Sequence, residues 1–287
     1  MTTLTAVRAG HGTKSLARRR RLVSTFRGIA ITIVTLACAF PILWMVLSSF
    51  KLNVDIYNPA KLLFFEGTLA NYGTVLTASN IPLSAFHSLV VAVGATGASL
   101  LLGLPAAYVI ARFTMRRSSV VLLLVRMLPG ITYLVPWYIL LTQVRLVGSY
   151  FSLIISHMVI TLPMVIWIMI SFFDSVPLEL EEAGRIDGLS RTGAFLRIVL
   201  PLCRPGIATA SLLSFIFSWN QLLFSMILGA SSKKTLPVAL FDFVGYASID
   251  WGGLMAAAVL MTLPIFAFSL FAQKQIVAGL SSGATKG

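Results

Sequence analysis

Five acids, Asp174, Glu179, Glu181, Glu182 and Asp187, stand among four arginines, Arg185, Arg191, Arg197 and Arg204, in a chain that is otherwise poor in charge. Residues 181–205 alone hold seven of its 31 charged side chains. Carboxylates at this density could serve acid–base or metal chemistry, but the partners such chemistry needs are missing from the neighbourhood. The three histidines, His11, His87 and His157, are scattered too widely to suggest a metal site. No G-x-x-x-x-G-K-[ST] phosphate loop and no H-E-x-x-H pair occurs. The chain is therefore expected neither to bind ATP nor to catalyse. A face of mixed charge suits docking on another protein; the alternative is an amphipathic loop lying on lipid headgroups, for which the balanced charge gives little attraction. A second pair able to do chemistry is Trp219-Asn220. An aromatic ring and an amide are what a sugar needs for its C–H faces and hydroxyls, and they equally serve hydrogen bonding between helices.

The elements that must carry these groups are set by composition. Hydrophobic residues make up 57 % and charged residues 11 % of the 287, and the mean hydropathy is +0.92, where a soluble domain carries about 25 % charged residues. Six apolar windows are long enough for a membrane span, at about 27–49, 85–111, 119–141, 151–172, 206–229 and 251–273. The expected fold is an all-α membrane protein with six transmembrane helices spanning 27–275. A basic arm over 1–26 precedes them, a polar loop over 173–205 joins helices four and five, and a tail covers 276–287. Pro41, Pro105, Pro129, Pro136, Pro163 and Pro264 are expected to kink the spans. Gly94, Gly97 and Gly103 are expected to permit close helix packing.

Charge sets the orientation. With the N-terminus inside, sixteen cations fall on the cytoplasmic side, Arg18 to Arg21, Arg112, Arg116, Arg117 and the loop arginines among them. Lys51, Lys61, Arg145, Lys233 and Lys234 fall outside, and Arg126 lies within span three, where it snorkels, pairs with another helix or acts in gating. This asymmetry explains the net charge of +13 without a nucleic-acid partner. The first span follows a basic segment and Thr35-Leu36-Ala37-Cys38 faintly imitates a lipoprotein cleavage site, but the apolar run continues through Pro41 to Met45, so it is expected to stay uncleaved. All nine acids lie outside the spans, whereas a proton- or sodium-coupled carrier places acids at membrane depth. Uphill transport would thus need energy from another subunit.

The polar loop itself reads as helix, turn, helix. Asp174-Ser175-Val176-Pro177 opens the first helix, with Ser175 as its potential cap, and Glu179, Glu181 and Glu182 lie near the positive end of its dipole. Leu180, Ala183 and Gly184 form a narrow strip that would let another surface come close. Asp187-Gly188 turns the chain, Ser190 caps a second helix, and Pro201 and Pro205 end it before span five.

At these residues the chain resembles a known family. Glu182-Ala183-Gly184-x-x-Asp187-Gly188, followed by Leu200-Pro201 and Pro205, is similar to the E-A-A-x-x-D-G loop of permease subunits of binding-protein-dependent ABC importers. Arg126-Met127-Leu128-Pro129-Gly130, Ser218-Trp219-Asn220, Thr235-Leu236-Pro237, Asp250-Trp251-Gly252 and the tail from Gly279 narrow it to the carbohydrate, maltose-type branch. Departures are Gly184 for the second alanine, His87-Ser88 for asparagine-serine, Gln221 for glutamate and Thr285 for valine.

The resemblance implies one membrane half of an importer in the bacterial cytoplasmic membrane, both termini cytoplasmic. A second permease subunit, two cytoplasmic ATPases carrying ATP and Mg, and an extracytoplasmic sugar-binding protein would complete it, with no cofactor on this chain. Glu182, Ala183, Gly184, Asp187, Gly188, Leu200 and Pro201 would form the coupling helix and lever that meet an ATPase. Trp219 and Asn220 would line the path, and Leu236, Pro237 and Phe241 would meet the binding protein. A non-sugar solute such as a polyamine, or a self-sufficient secondary carrier, are the alternatives.

Overall fold

A computed structural model describes residues 12–113, 115, 121, 124, 128–230, 232–246 and 248–284. Arg126, Arg116, Arg117 and much of the first half of the expected third span lie outside the described residues, as do the last residues of the tail. The described chain is helical, with α1 (Gly12–Ser49), α2 (Ala70–Thr77), α3 (Ile81–Arg112), α4 (Gly130–Gln143), α5 (Tyr150–Asp174) and α6 (Leu178–Ile186). There follow α7 (Arg191–Leu202), α8 (Arg204–Trp219), α9 (Leu223–Leu228) and α10 (Trp251–Ala284). Among the described residues the only β contact is one bridge between Val244 and Ile249.

Among the described residues four stretches are long and apolar enough to cross a membrane, Ser24–Ser49, Ile81–Arg112, Tyr150–Asp174 and Trp251–Leu270; a fifth crossing is the pair α7–α8 if that bent pair is one span. The bend of 77° falls at Cys203, between the two prolines, Pro201 and Pro205, expected to end the loop helix. Within α7, residues Phe195–Val199 are wound as a π-helix. Helix α1 begins at Gly12 and runs without interruption into the span, so the described part of the basic arm is helical rather than a separate segment.

Helices α3, α5 and α8 pack on one another, α10 packs on α8, and α1 lies against α10. Three apolar clusters hold them. One, at the end carrying α6, joins Ala107, Val165, Met169, Phe173, Phe195, Val199 and Ala210. A second gathers Val75, Ala92, Phe215, Trp219, Leu236, Ala256 and Ala257. The third holds Val91, Leu141, Leu153, Phe224 and Leu228. The expected close packing is present at two of the named glycines: a Cβ on Gly94 would lie 2.6 Å from Ile154 Cδ1, and one on Gly103 would lie 2.8 Å from Val165 Cγ1. Gly97 faces open space. By contrast α1 leaves Ile29, Ile31, Ile33, Val34, Leu36 and Phe40 exposed, a surface that hydrocarbon or another apolar helix can cover.

Candidate functional site

The polar loop is tied to the bundle by a carboxylate that local spacing does not single out. Glu181 is 4 % exposed. Tyr108 Oη donates to its Oε2 at 2.6 Å, and Arg112 pairs with its Oε1 through Nε and Nη2. The same guanidinium donates to Val176 O at 3.1 Å, so α3 grips both the entry to α6 and its first turn. The Tyr108 ring rests against Phe195 and Phe173 at centroid distances of 4.6 and 5.9 Å. A groove of about 640 Å³ opens beside this knot, between α3, α6 and α7, with Arg185 and Arg191 at its polar side.

With Glu181 turned inward, Glu182, Ala183, Arg185, Ile186 and Asp187 are exposed. Leu180 belongs to the same exposed surface, and Ile186 is 86 % exposed. Gly184 is not part of this face. It is buried, and a Cβ there would press on Ile198 Cδ1 and lie 3.3 Å from Leu189 Cδ1. The expected strip for a partner is thus corrected at this position: the close approach that Gly184 permits is between α6 and α7 of the same chain.

The turn after α6 is built as the sequence suggests, and its mechanism is a helix-ending motif. Gly188 has φ +93°, Leu189 N donates to Gly184 O at 3.0 Å and Gly188 N to Arg185 O at 3.1 Å. These two bonds satisfy the last carbonyls of α6 in the Schellman arrangement, with Leu189 returning against Gly184. Ser190 Oγ accepts from Gly193 N at 3.1 Å, so it caps α7 as expected. Ser175 does not cap α6. Its hydroxyl donates to Phe172 O at 2.7 Å, closing α5, and Pro177 takes the cap position. Leu200 packs against the first cluster and Pro201 is half-buried beside the bend. Cys203, at the bend, is buried and hydrogen-bonded to Phe172 O.

Span five is interrupted where the sequence reads it as continuous. Helix α8 ends at Trp219, residues Asn220-Gln221-Leu222 break the helix, and α9 resumes at Leu223. Asn220 Nδ2 donates to Ile216 O at 2.9 Å, and Gln221 Oε1 accepts from Leu223 N at 3.1 Å. Each half therefore carries its own cap. The two candidates Trp219 and Asn220 part company here. Trp219 is 2 % exposed, stacks on Phe215 and donates Nε1–H to Met261 O at 3.1 Å. It joins α8 to α10, the helix-to-helix alternative. Asn220 is exposed at the break.

His157, on α5, lies beside the same break with Nδ1 2.7 Å from Ser218 Oγ and Nε2 3.2 Å from Ser225 Oγ. Ser99 and Thr161 bond each other at 2.7 Å. The buried hydroxyls of Thr96 and Ser214 have no partner among the described residues. His87 Nδ1 meets Tyr150 Oη at 2.6 Å.

At the opposite end from α6, Asp250 organises the start of α10. Its Oδ1 accepts from Gly253 N at 3.0 Å and from Asn53 Nδ2 at 2.9 Å, and Asn53 Oδ1 accepts from Gly252 N at 3.0 Å. A Cβ on Gly252 would meet Asn71 at 2.7 Å, which gives Asp250-Trp251-Gly252 a structural reason. Nearby, the hydrogen bond to Asp55 at 2.7 Å holds the Lys61 ammonium above its ordinary pKa range. Lys51 is buried, donating to Lys61 O and Leu62 O at 3.1 and 2.6 Å. Of the three residues expected to meet an outer partner, Leu236 and Pro237 are buried; Leu236 N donates to Ser88 Oγ at 2.7 Å and so pins the loop to α3. That expectation is corrected for this pair, whose burial leaves them no outer surface, while Phe241 is 55 % exposed.

The chain is similar to known transport proteins along most of its length. Residues 99–282 match the family described as binding-protein-dependent transport system inner membrane component. The sulfoquinovosyl glycerol transport system permease protein SmoH of Agrobacterium fabrum is 32 % identical over 266 residues, 91 % of this chain and 93 % of that protein. The trehalose transport system permease protein SugB of Mycobacterium tuberculosis is 32 % identical over 270 residues, 92 % of this chain and 98 % of that one. The diacetylchitobiose uptake system permease protein DasC of Streptomyces coelicolor is 31 % identical over 264 residues, covering 90 % and 96 %. In fold, the chain superposes with a TM-score of 0.76 at 19 % identity on a chain of a bacterial ABC transporter that imports the acidic polysaccharide alginate, covering 95 % of this chain and 99 % of that one. The polar loop, the interrupted span and the capped start of α10 all lie within the matched residues, and the chain belongs to the inner membrane components of binding-protein-dependent transport systems.

Proposed function

We propose that this chain is the permease subunit of an ATP-driven importer for a carbohydrate. It forms one membrane half beside a second permease subunit; two cytoplasmic ATPases bind ATP and Mg, and an extracytoplasmic binding protein delivers the sugar. Both termini face the cytoplasm. The observation that carries the reading is α6. This polar helix is held rigidly to α3 through Glu181 and presents Glu182, Ala183, Ile186 and Asp187 outward. A rigid helix with one anchored and one exposed face can transmit the closure of a partner, because partner contacts that differ between two states bias the bundle as a whole. Glu182, Ala183, Asp187 and Gly188 then belong to the ATPase contact, Gly184 supports it from behind, and Leu200 and Pro201 pass the motion to α8.

The solute class rests on the relatives, whose names specify glycosides and oligosaccharides, and on the polar groups at the break in span five. Irregular backbone at membrane depth is tolerated where it lines a cavity or is buried in protein, and an exposed amide at such a break can bind hydroxyls. Asn220 is assigned to the path; Trp219 holds α8 against α10. Phe241 is the residue assigned to the binding-protein contact. The test is reconstitution in vesicles of the chain with its partner subunits and binding protein. Sugar uptake should require ATP and every subunit, and the chain alone should neither hydrolyse ATP nor accumulate sugar. Uptake by the isolated chain would refute the multi-subunit reading, and an assembled complex that moves only non-carbohydrate solutes would refute the sugar.

A further inference from the structure

We propose that His157 is a positioning residue that clamps the two pieces of the interrupted span and so fixes the turn Asn220-Gln221-Leu222 in the solute path. The proposal rests on the permease reading above for the importance of that turn, and on geometry alone for the clamp.

A break in a spanning helix solves its local backbone problem without fixing its shape. The caps by Asn220 on Ile216 O and by Gln221 on Leu223 N satisfy groups within each half, as do the bonds from Gln221 N to Ser218 O and from Met226 N to Leu222 O. None of them sets the angle between α8 and α9. The apolar side chains of the two halves belong to different clusters, although both halves pack on α5. Phe215 and Trp219 of α8 pack with Ala256 and Ala257 of α10, while Phe224 and Leu228 of α9 pack with Val91, Leu141 and Leu153. Between these clusters stands His157, 2 % exposed on α5, with one ring nitrogen on each side. Nδ1 meets Ser218 in the last turn of α8 at 2.7 Å, and Nε2 meets Ser225 in α9 at 3.2 Å. Both serines are buried, at 4 % and 1 % exposure.

The chemistry of the ring makes this link directional. A neutral imidazole has one N–H and one lone pair, so one serine must accept and the other must donate. Both ring nitrogens are used and the ring plane is fixed by two helices at once. Its own helix is held in turn, since Thr161 Oγ1 donates to His157 O at 3.2 Å and bonds Ser99 of α3 at 2.7 Å. Two hydrogen bonds from one ring thus tie the last turn of α8 and the first turns of α9 to the same point on α5.

The test is a distance measured across the break in the assembled transporter with native cysteines replaced by alanine. Nitroxides are placed at Phe217→Cys and Ile227→Cys, both exposed, at 49 % and 42 %, and the distance distribution is read by pulsed electron resonance without solute. The parent should give one narrow distribution and His157→Leu one at least twice as wide. His157→Gln, whose amide offers one donor edge and one acceptor edge at a similar spacing, should restore it. Uptake at saturating binding protein should fall roughly tenfold in the leucine variant, a change of about 1.4 kcal/mol in the barrier, and recover in the glutamine variant. An unchanged narrow distribution in His157→Leu, or equal broadening in His157→Gln, would overturn the clamp. If the leucine variant fails to assemble, the Ser218→Ala/Ser225→Ala pair takes its place with the same criterion. Because the distance is read without solute, the clamp stands or falls separately from the identity of the sugar.

Discussion

Replacing Glu181 with alanine is expected to lower ATP-driven uptake sharply while leaving the spans inserted. The carboxylate is enclosed by Tyr108, Arg112 and the first turn of α6, and Arg112 itself is only 13 % exposed at its side chain. Its removal leaves a guanidinium buried without its counter-charge, a change that costs roughly 3–5 kcal/mol in comparable buried pairs. That energy is concentrated on the joint between α6 and α3, so the loop should loosen before the bundle unfolds. The expected readout is a drop of at least about tenfold in uptake, with binding-protein-stimulated ATP hydrolysis lost in parallel. Tyr108→Phe removes one bond to a charged group, about 1.5–3 kcal/mol, and its uptake should fall between those of Glu181→Ala and the unchanged chain. Glu181→Leu combined with Arg112→Met supplies the control. An apolar pair of similar volume is often neutral where a lone charge is not, so the double variant should assemble better than Glu181→Leu alone. A Glu181→Ala transporter with normal coupled uptake would show that the knot is dispensable.

The second large effect is expected at Gly188. Its φ of +93° lies where an L side chain is strained by about 1–2 kcal/mol, and the two bonds that close α6 depend on that conformation. Gly188→Val should unwind the last turn, free the carbonyls of Gly184 and Arg185, and displace the exposed Ile186 and Asp187. Gly188→Asn should be the mildest substitution, because asparagine enters the left-handed region more readily than other residues. Uptake in vesicles should therefore rank glycine, asparagine, alanine, valine, with valine lower than wild type by at least about tenfold. Equal uptake across the series would remove the turn from the coupling surface.

How far these features were legible in sequence follows from the range of the interactions. Helix, turn and helix in the polar loop are local, and Asp187-Gly188, Ser190 and the two prolines announce them correctly. Nothing local distinguishes Glu181 from Glu182, because the partners of Glu181 lie 69 and 73 residues away. A signal did exist: Tyr108 and Arg112, four residues apart at the end of a span, share one helix face and call for an acid. The break in span five was invisible to hydropathy because Asn220 and Gln221 are flanked by apolar residues and a window averages over them. Ser175 illustrates the limit of capping rules, since one serine can close the helix before it or open the one after it. Leu236 and Pro237 look like a surface motif in sequence; Leu236 is in fact buried among Val75, Ile81, Ala92, Phe215 and Trp219 and its backbone N–H is held by Ser88 of α3, which no spacing within the loop reveals.

The proposed role of α6, as the contact through which ATPase closure reaches the membrane, is tested most directly by masking its exposed face. A single cysteine at Ile186, 86 % exposed in this chain, should react rapidly with a water-soluble maleimide when the permease subunits are expressed without their ATPases. In the assembled transporter the same cysteine should be protected at least about tenfold, and the protection should depend on ATP. Equal labelling with and without the ATPases would contradict the coupling role of α6.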